Sequence, residues 1–256
     1  MSTGRAVGTA IGVLLLILVV GALVIAGIVG FLNALPDPAR EAEAPRPIVD
    51  SATPAAAPEA SGPETPGAFR DLADPDWLDR TAAAHGIPRR ALAAYAAADI
   101  RTRQESQCTV GWNTLAAIGW VESRHGRLQG GSIDDDGVAR PHIIGIALDG
   151  TNNTLAIPDT DGGALDGDTE WDRAVGPMQF IPETWSRWAV DAGSTGNASP
   201  HSIDDAALAA ARYLCRLDGS LETEEQWIRA ILSYNNSLSY QQQVATRAER
   251  YAEAAD

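Results

Sequence analysis

The chain reads as one mainly α-helical domain behind a single N-terminal transmembrane helix and a Pro/Ala-rich linker, and three observations lead there. A charge-free apolar run opens the chain, a proline-dense stretch follows, and beyond residue 70 apolar residues recur at spacings of three and four. About 186 residues remain after that point, enough for one full hydrophobic core.

The run Ala6–Leu32 contains no charged residue, and 27 residues can span a bilayer with some tilt. A cleaved signal peptide is the alternative, although its apolar region usually runs about 7–15 residues. Arg5 precedes the run and acids follow it, so residues 1–5 are expected to be a cytoplasmic tip and the remainder extracytoplasmic. From residue 33 to residue 70 the chain carries Pro36, Pro38, Pro45, Pro47, Pro54, Pro58, Pro63 and Pro66 among Ala, Glu and Ser. That composition predicts a linker without a core, reaching up to roughly 110 Å if it is wholly polyproline II.

The domain itself, 71–256, is expected to be helical. Pro88 begins the run PRRALAAYAAADIRTRQ. Ser202 and Asp205 have capping-box spacing before AALAAARYLCRLDG, where Gly219 is the expected stop, and Thr223 and Gln226 repeat that spacing at the head of a helix ending near Asn235. Between Gly126 and Asp172 lies a long loop-rich insertion, with Ile143 to Leu148 as a short strand. Its acids, from Asp134 to Asp172, face only Arg140 and Arg173. Asp159, Asp161 and Glu170 match positions one, three and twelve of a calcium loop, but Ala164 stands where the turn needs Gly. A solvated or Arg-paired loop fits better, so no metal is assigned. The four His residues, 85, 125, 142 and 201, lack paired ligand spacing, and no cofactor is expected.

A net charge of −15 and a pI near 4.6 exclude nucleic acid as a partner, since phosphates need cations. Every one of the 19 basic residues is Arg, which points to a high-GC genome.

Glu122 carries the most chemical information. In TVGWNTLAAIGWVESRHG, from Thr109 to Gly126, Leu115, Ile118 and Glu122 share one helical face. A carboxylate on that apolar face loses water, and with Gly126 as C′ residue it also meets the negative end of the helix dipole. Both effects raise its pKa, as a general acid requires. A frayed helix end with the carboxylate in solvent is the alternative. Two further segments bear on it. Gly176 to Trp185, GPMQFIPETW, is an apolar strap that enters a helix at Pro182, and AILSYN ends the helix from Thr223 with Tyr234 and Asn235 expected toward the buried side. Gln179, Tyr234 and Asn235 bring polar groups there that need partners: a ligand, backbone or one another.

In this order, ES at Glu122–Ser123, GPMQFIPETW and SYN at Ser233–Asn235 resemble the lytic transglycosylases of bacterial cell-wall glycan, most of all the membrane-bound type B subfamily and its Gram-positive relatives. The likeness covers roughly residues 71 to 256. It implies a lysozyme-like helical fold, peptidoglycan strands as substrate and a single catalytic Glu. By motif, Glu122 corresponds to the acid/base, Gln179 to the strap residue near the sugar, and Tyr234 with Asn235 to the pair lining the cleft; Ser123 goes with them as a substrate-side residue. The implied reaction is non-hydrolytic. One Glu protonates the leaving oxygen and then, as carboxylate, accepts a proton from the sugar's own hydroxyl as that hydroxyl attacks the anomeric carbon. Ordinary glycoside hydrolysis uses two carboxylates. A lysozyme-like hydrolase and a non-catalytic glycan-binding scaffold remain the alternatives.

Asp172, beside Arg173 and the strap, is read either as an Arg partner shaping the cleft or as that second carboxylate. In an exported domain Cys108 and Cys215 are expected to form a disulfide tying the Glu122 helix to the core; two buried thiols are the alternative.

Overall fold

The computed structural model describes residues 50–61, 68–152, 154–217 and 219–253. The expected membrane helix 6–32 and much of the expected linker lie outside these residues; among the described residues, no helix is long and apolar enough to cross a membrane.

The fold is mainly helical. Helix α1 (Pro75–His85) starts where the Asp74 carboxylate accepts from the Trp77 amide at 2.7 Å, with Pro75 in the first turn where its missing N–H costs nothing. Helix α2 (Arg89–Ser106) follows Pro88, as the sequence indicates. Ala91, Ala93, Ala94, Ala96, Ala97 and Ala98 are all buried with Leu92, Tyr95 and Ile100, and a helix covered on every side belongs at the centre. Helix α3 (Trp112–Ser123) carries Glu122.

The insertion then makes four short strands: β1 (Ser132–Ile133) pairs antiparallel with β2 (Ala139–Arg140), and β3 (Ile144–Ala147) pairs antiparallel with β4 (Arg173–Val175). Strand β3 is the one expected at 143–148. Helices α4 (Pro182–Trp188), α5 (Ile203–Cys215), α6 (Glu224–Tyr234) and α7 (Leu238–Glu253) complete the domain. Helix α2 packs chiefly on α5, and α3 on α7. Alanine faces on α2 and α5 let those two axes come close.

The two capping predictions end differently. Thr223 and Gln226 form both halves of a capping box. Ser202 accepts from the Asp205 amide at 3.3 Å, but Asp205 does not reciprocate. Its carboxylate instead accepts from the amides of Ala192, Gly193 and Ser199, which fastens the loop before α5. Helix α5 stops at Cys215, short of Gly219, whose amide donates to the Cys215 carbonyl at 3.0 Å.

The linker boundary needs correction. Residues 50–61 lie against the domain, with Ala52 and Ala57 buried. Asn113 accepts from the Ala55 amide at 2.8 Å and donates to the Thr53 carbonyl at 2.9 Å, and Gln241 donates to the Asp50 carbonyl. Asp99, fully buried on α2, accepts from the amides of Ala57 at 2.9 Å and Gly111 at 3.0 Å and from Arg103 Nε at 3.2 Å. Backbone donors satisfied from distant side chains leave no mark in local composition, so the segment reads as linker when it is a strap on the core.

Cys108 and Cys215 are bonded, with Cα atoms 6.1 Å apart, so the chain just before α3 is joined to the end of α5.

Candidate active site

Leu115 and Ile118 are fully buried on α3, and Glu122 continues their stripe to where it reaches solvent; the residue is part-buried. Its Oε1 accepts from the hydroxyl of Tyr240, on the first turn of α7, at 2.6 Å. Burial pushes the Glu122 carboxyl up to about 7 from its ordinary 4.5, against the opposing pull of the Tyr240 hydrogen bond. The carboxyl is therefore biased toward its protonated form.

The helix ends earlier than Gly126. Arg124, His125 and Gly126 are all left-handed, at φ 54°, 59° and 80°. Two things support this turn. Ser123 Oγ accepts from the Gly126 amide at 2.8 Å, and beneath it His125 lies between Tyr95 OH at 3.3 Å and Tyr251 OH at 3.1 Å. Burial, then the charges of Arg127, Arg247 and Arg124, push His125 down to about 3, so it is neutral. Gly119 is required here, because a Cβ would fall 2.1 Å from the Tyr95 hydroxyl.

Ser123 is a correction. It is fully buried, and its hydroxyl donates to the Pro177 carbonyl at 2.6 Å, so it holds the strap rather than facing solvent. The strap is a tight turn between Val175 and Phe180, whose backbones bond in both directions. Tyr234 holds it from the other side, its hydroxyl donating to the Met178 carbonyl at 2.7 Å. Gly176, at φ 79°, passes so close to Pro200 that a Cβ would sit 1.8 Å from that carbonyl oxygen.

Gln179 is itself left-handed, at φ 51°, and its amide folds back onto the Gly176 carbonyl at 2.9 Å. With Phe180, Thr184, Tyr213 and Tyr234 it lines a notch of about 60 Å³. The aromatic wall behind it was not foreseen: Tyr213 and Phe180 meet Tyr234 edge-on at 5.7 and 6.1 Å, and the Tyr213 hydroxyl donates to the Ser233 carbonyl at 2.6 Å. Burial and the neighbouring Glu122 both hold the Tyr234 and Tyr240 hydroxyls well above the ordinary tyrosine range, so both remain donors. Asn235 departs from expectation. It is the exposed C-cap residue of α6, its amide on the Ile231 carbonyl at 3.1 Å, because the helix ends before a further turn could carry it inward.

Glu122, Gln179 and Tyr234 thus lie around one strap, and Tyr240 is the residue that sequence reasoning missed. Its signal was present, since Tyr240, Val244, Ala248 and Tyr251 recur at spacings of four, four and three and all are buried.

Asp172 lies elsewhere. It is fully buried in the acidic loop, its two oxygens accepting from the Thr160 amide at 2.9 Å and hydroxyl at 2.8 Å. The partner of Arg173 is Asp168, at 2.9 Å, so Asp172 is neither an Arg partner nor a group acting on Glu122. Among the described residues, the group that could hold a metal ion is Asp159, Asp161 and Asp172, with oxygens within 4.8 Å of one another. Glu170, the expected twelfth position, is not part of it. The Asp159 and Asp161 carboxylates also accept from successive loop amides, from Asp161 to Leu165.

Neither a protein-family model nor a curated protein nor a solved structure matches the chain.

Proposed function

We propose that this domain is a peptidoglycan lytic transglycosylase, cleaving the β-1,4 bond between N-acetylmuramic acid and N-acetylglucosamine to leave a 1,6-anhydromuramoyl end. The observation that carries the reading is the Glu122 carboxyl, held by Tyr240 at 2.6 Å and raised to about 7 by burial. A group poised near neutral pH can serve first as acid and then as base.

In the proposed sequence the Glu122 O–H donates to the glycosidic oxygen as the bond from the anomeric carbon breaks. The carboxylate then accepts the proton of the same sugar's C6 hydroxyl as that oxygen bonds to the anomeric carbon. No water is consumed. Tyr240 steadies the carboxylate in the interval, because a hydrogen bond to the charged form favours it. Gln179 and Tyr234 contribute through the strap they brace, whose geometry sets the sugar's orientation. The notch beside them, about 60 Å³, is smaller than a sugar ring, so in this reading the glycan passes outside it. The Asp172 carboxylate is bonded to Thr160, which supports reading Glu122 as acting without it. The segment Ala6–Leu32 is proposed to anchor the domain on the outer face of the cell membrane.

Digestion of purified wall followed by mass spectrometry tests the reaction. Anhydro ends weigh one water less than reducing ends; reducing ends alone would identify a hydrolase, and an intact wall would leave a binding protein.

A further inference from the structure

A second polar surface lies two helical turns from Tyr240. Trp120, on α3, has the guanidinium carbon of Arg124 at 3.4 Å and that of Arg247 at 3.6 Å from its ring centroid. Two carbons so near one centroid would overlap on a single face, so the guanidinium groups cover opposite faces of the indole. Beside this stack runs a groove of about 310 Å³ lined by Trp120, Gln243, Thr246, Arg247 and Arg250, among others.

The groove is basic in an acidic chain. Acids outnumber bases 34 to 19, yet the ion pairs of the described residues are made by other arginines, and Arg124, Arg247 and Arg250 enter none. Burial is the main pressure holding the Arg247 guanidinium below its ordinary value; the Tyr251 hydroxyl, which it hydrogen-bonds, opposes that pressure, and the charges of Arg250 and Arg124 add to it. An anion in the groove would relieve that repulsion. The indole faces are already covered, so a sugar ring cannot stack on them. What the groove offers is guanidinium N–H edges, a geometry that suits carboxylates, flanked by the neutral donors of Gln243 and Thr246.

Position names the carrier. Tyr240, Gln243, Arg247 and Arg250 follow at spacings of three, four and three along α7, so they share a face. Arg247 lies seven residues from Tyr240, about 10 Å along the axis. An extended peptide of three to five residues spans roughly 10–17 Å. We propose that the groove between α3 and α7 is a subsite for the carboxylates of the peptide carried on the glycan strand, an inference that rests on the glycan-cleavage reading for the identity of that peptide.

The test compares the full chain with an Arg247→Gln, Arg250→Gln double variant. The substrates are wall strands bearing their peptides and the same strands stripped by an amidase. The ratio of kcat/KM for peptide-bearing over stripped strands should fall about tenfold in the variant, through KM. An unchanged ratio overturns the proposal. A second measurement does not need cleavage: the peptide L-Ala-γ-D-Glu-diaminopimelyl-D-Ala is titrated calorimetrically into Glu122→Gln protein with and without the two arginine changes, near-UV circular dichroism checking the fold. Binding weakened about tenfold by the changes supports the subsite even if the wild type cleaves no glycan, which would refute the functional reading alone. Binding indifferent to the arginines overturns the subsite even if the enzyme is active. Tighter binding of a glycerol-phosphate polymer than of the peptide also overturns it, in favour of a phosphate-bearing wall polymer.

Discussion

Glu122→Gln should make the protein more stable as well as inactive, and the size of the gain follows from the site. The wild-type carboxyl ionises at about 7 in the folded domain against an ordinary 4.5. A carboxyl raised on folding contributes stability that is fully present below the unfolded value and is lost as pH rises through the folded one. Between about pH 4.5 and 7 the unfolded chain ionises first, and at about 1.4 kcal/mol per unit the loss reaches roughly 3 kcal/mol by pH 8. Gln fills the same volume, can still accept from Tyr240, and never ionises. The variant should therefore exceed the wild type by up to about 3 kcal/mol at pH 8, roughly 6–12 °C in melting temperature for a domain of this size, and match it at pH 4. Because part of the side chain meets solvent, that figure is an upper one. Urea unfolding at the two pH values, together with turnover of purified wall, is the assay. Equal stability at pH 8, or substantial turnover by the variant, would refute the reading of Glu122 as a desolvated acid.

Tyr240→Phe removes the donor that favours the Glu122 carboxylate, so the high-pH limb of the activity profile should move up by about one pH unit while turnover falls; a limb that stays in place would show that the 2.6 Å bond is not felt. Reduction of Cys108–Cys215 opens a loop of sequence separation 107, which in the chain-entropy model costs on the order of 4–5 kcal/mol; calorimetry that finds an unchanged melting temperature would contradict that share in stability. Asp99→Ala leaves the buried Ala57 and Gly111 amides without their shared acceptor, while Arg103 keeps the Ala57 carbonyl and Glu59, so stability should fall by about 1–3 kcal/mol and proteases should gain access near residue 57; resistance equal to wild type would mean that the 50–61 strap is held by other contacts.

What the sequence determined by itself was local. The period of apolar residues located several of the helices, Pro88 and the pair Thr223 with Gln226 marked where two of them begin, and the stripe Leu115–Ile118–Glu122 marked a carboxylate carried into a desolvated place. Those features depend on residues three or four apart, whose relation is set by helix geometry alone. Tertiary structure decided everything that needed distant partners. It brought Tyr240 to Glu122 across 118 residues, and it occupied Ser123 with Pro177 and Asp172 with Thr160. It also folded residues 50–61 onto Asp99 and Asn113. The physical reason is common to all of these. A polar side chain near a motif is equally suited to a substrate or to a backbone group, and only packing shows which of the two satisfies it.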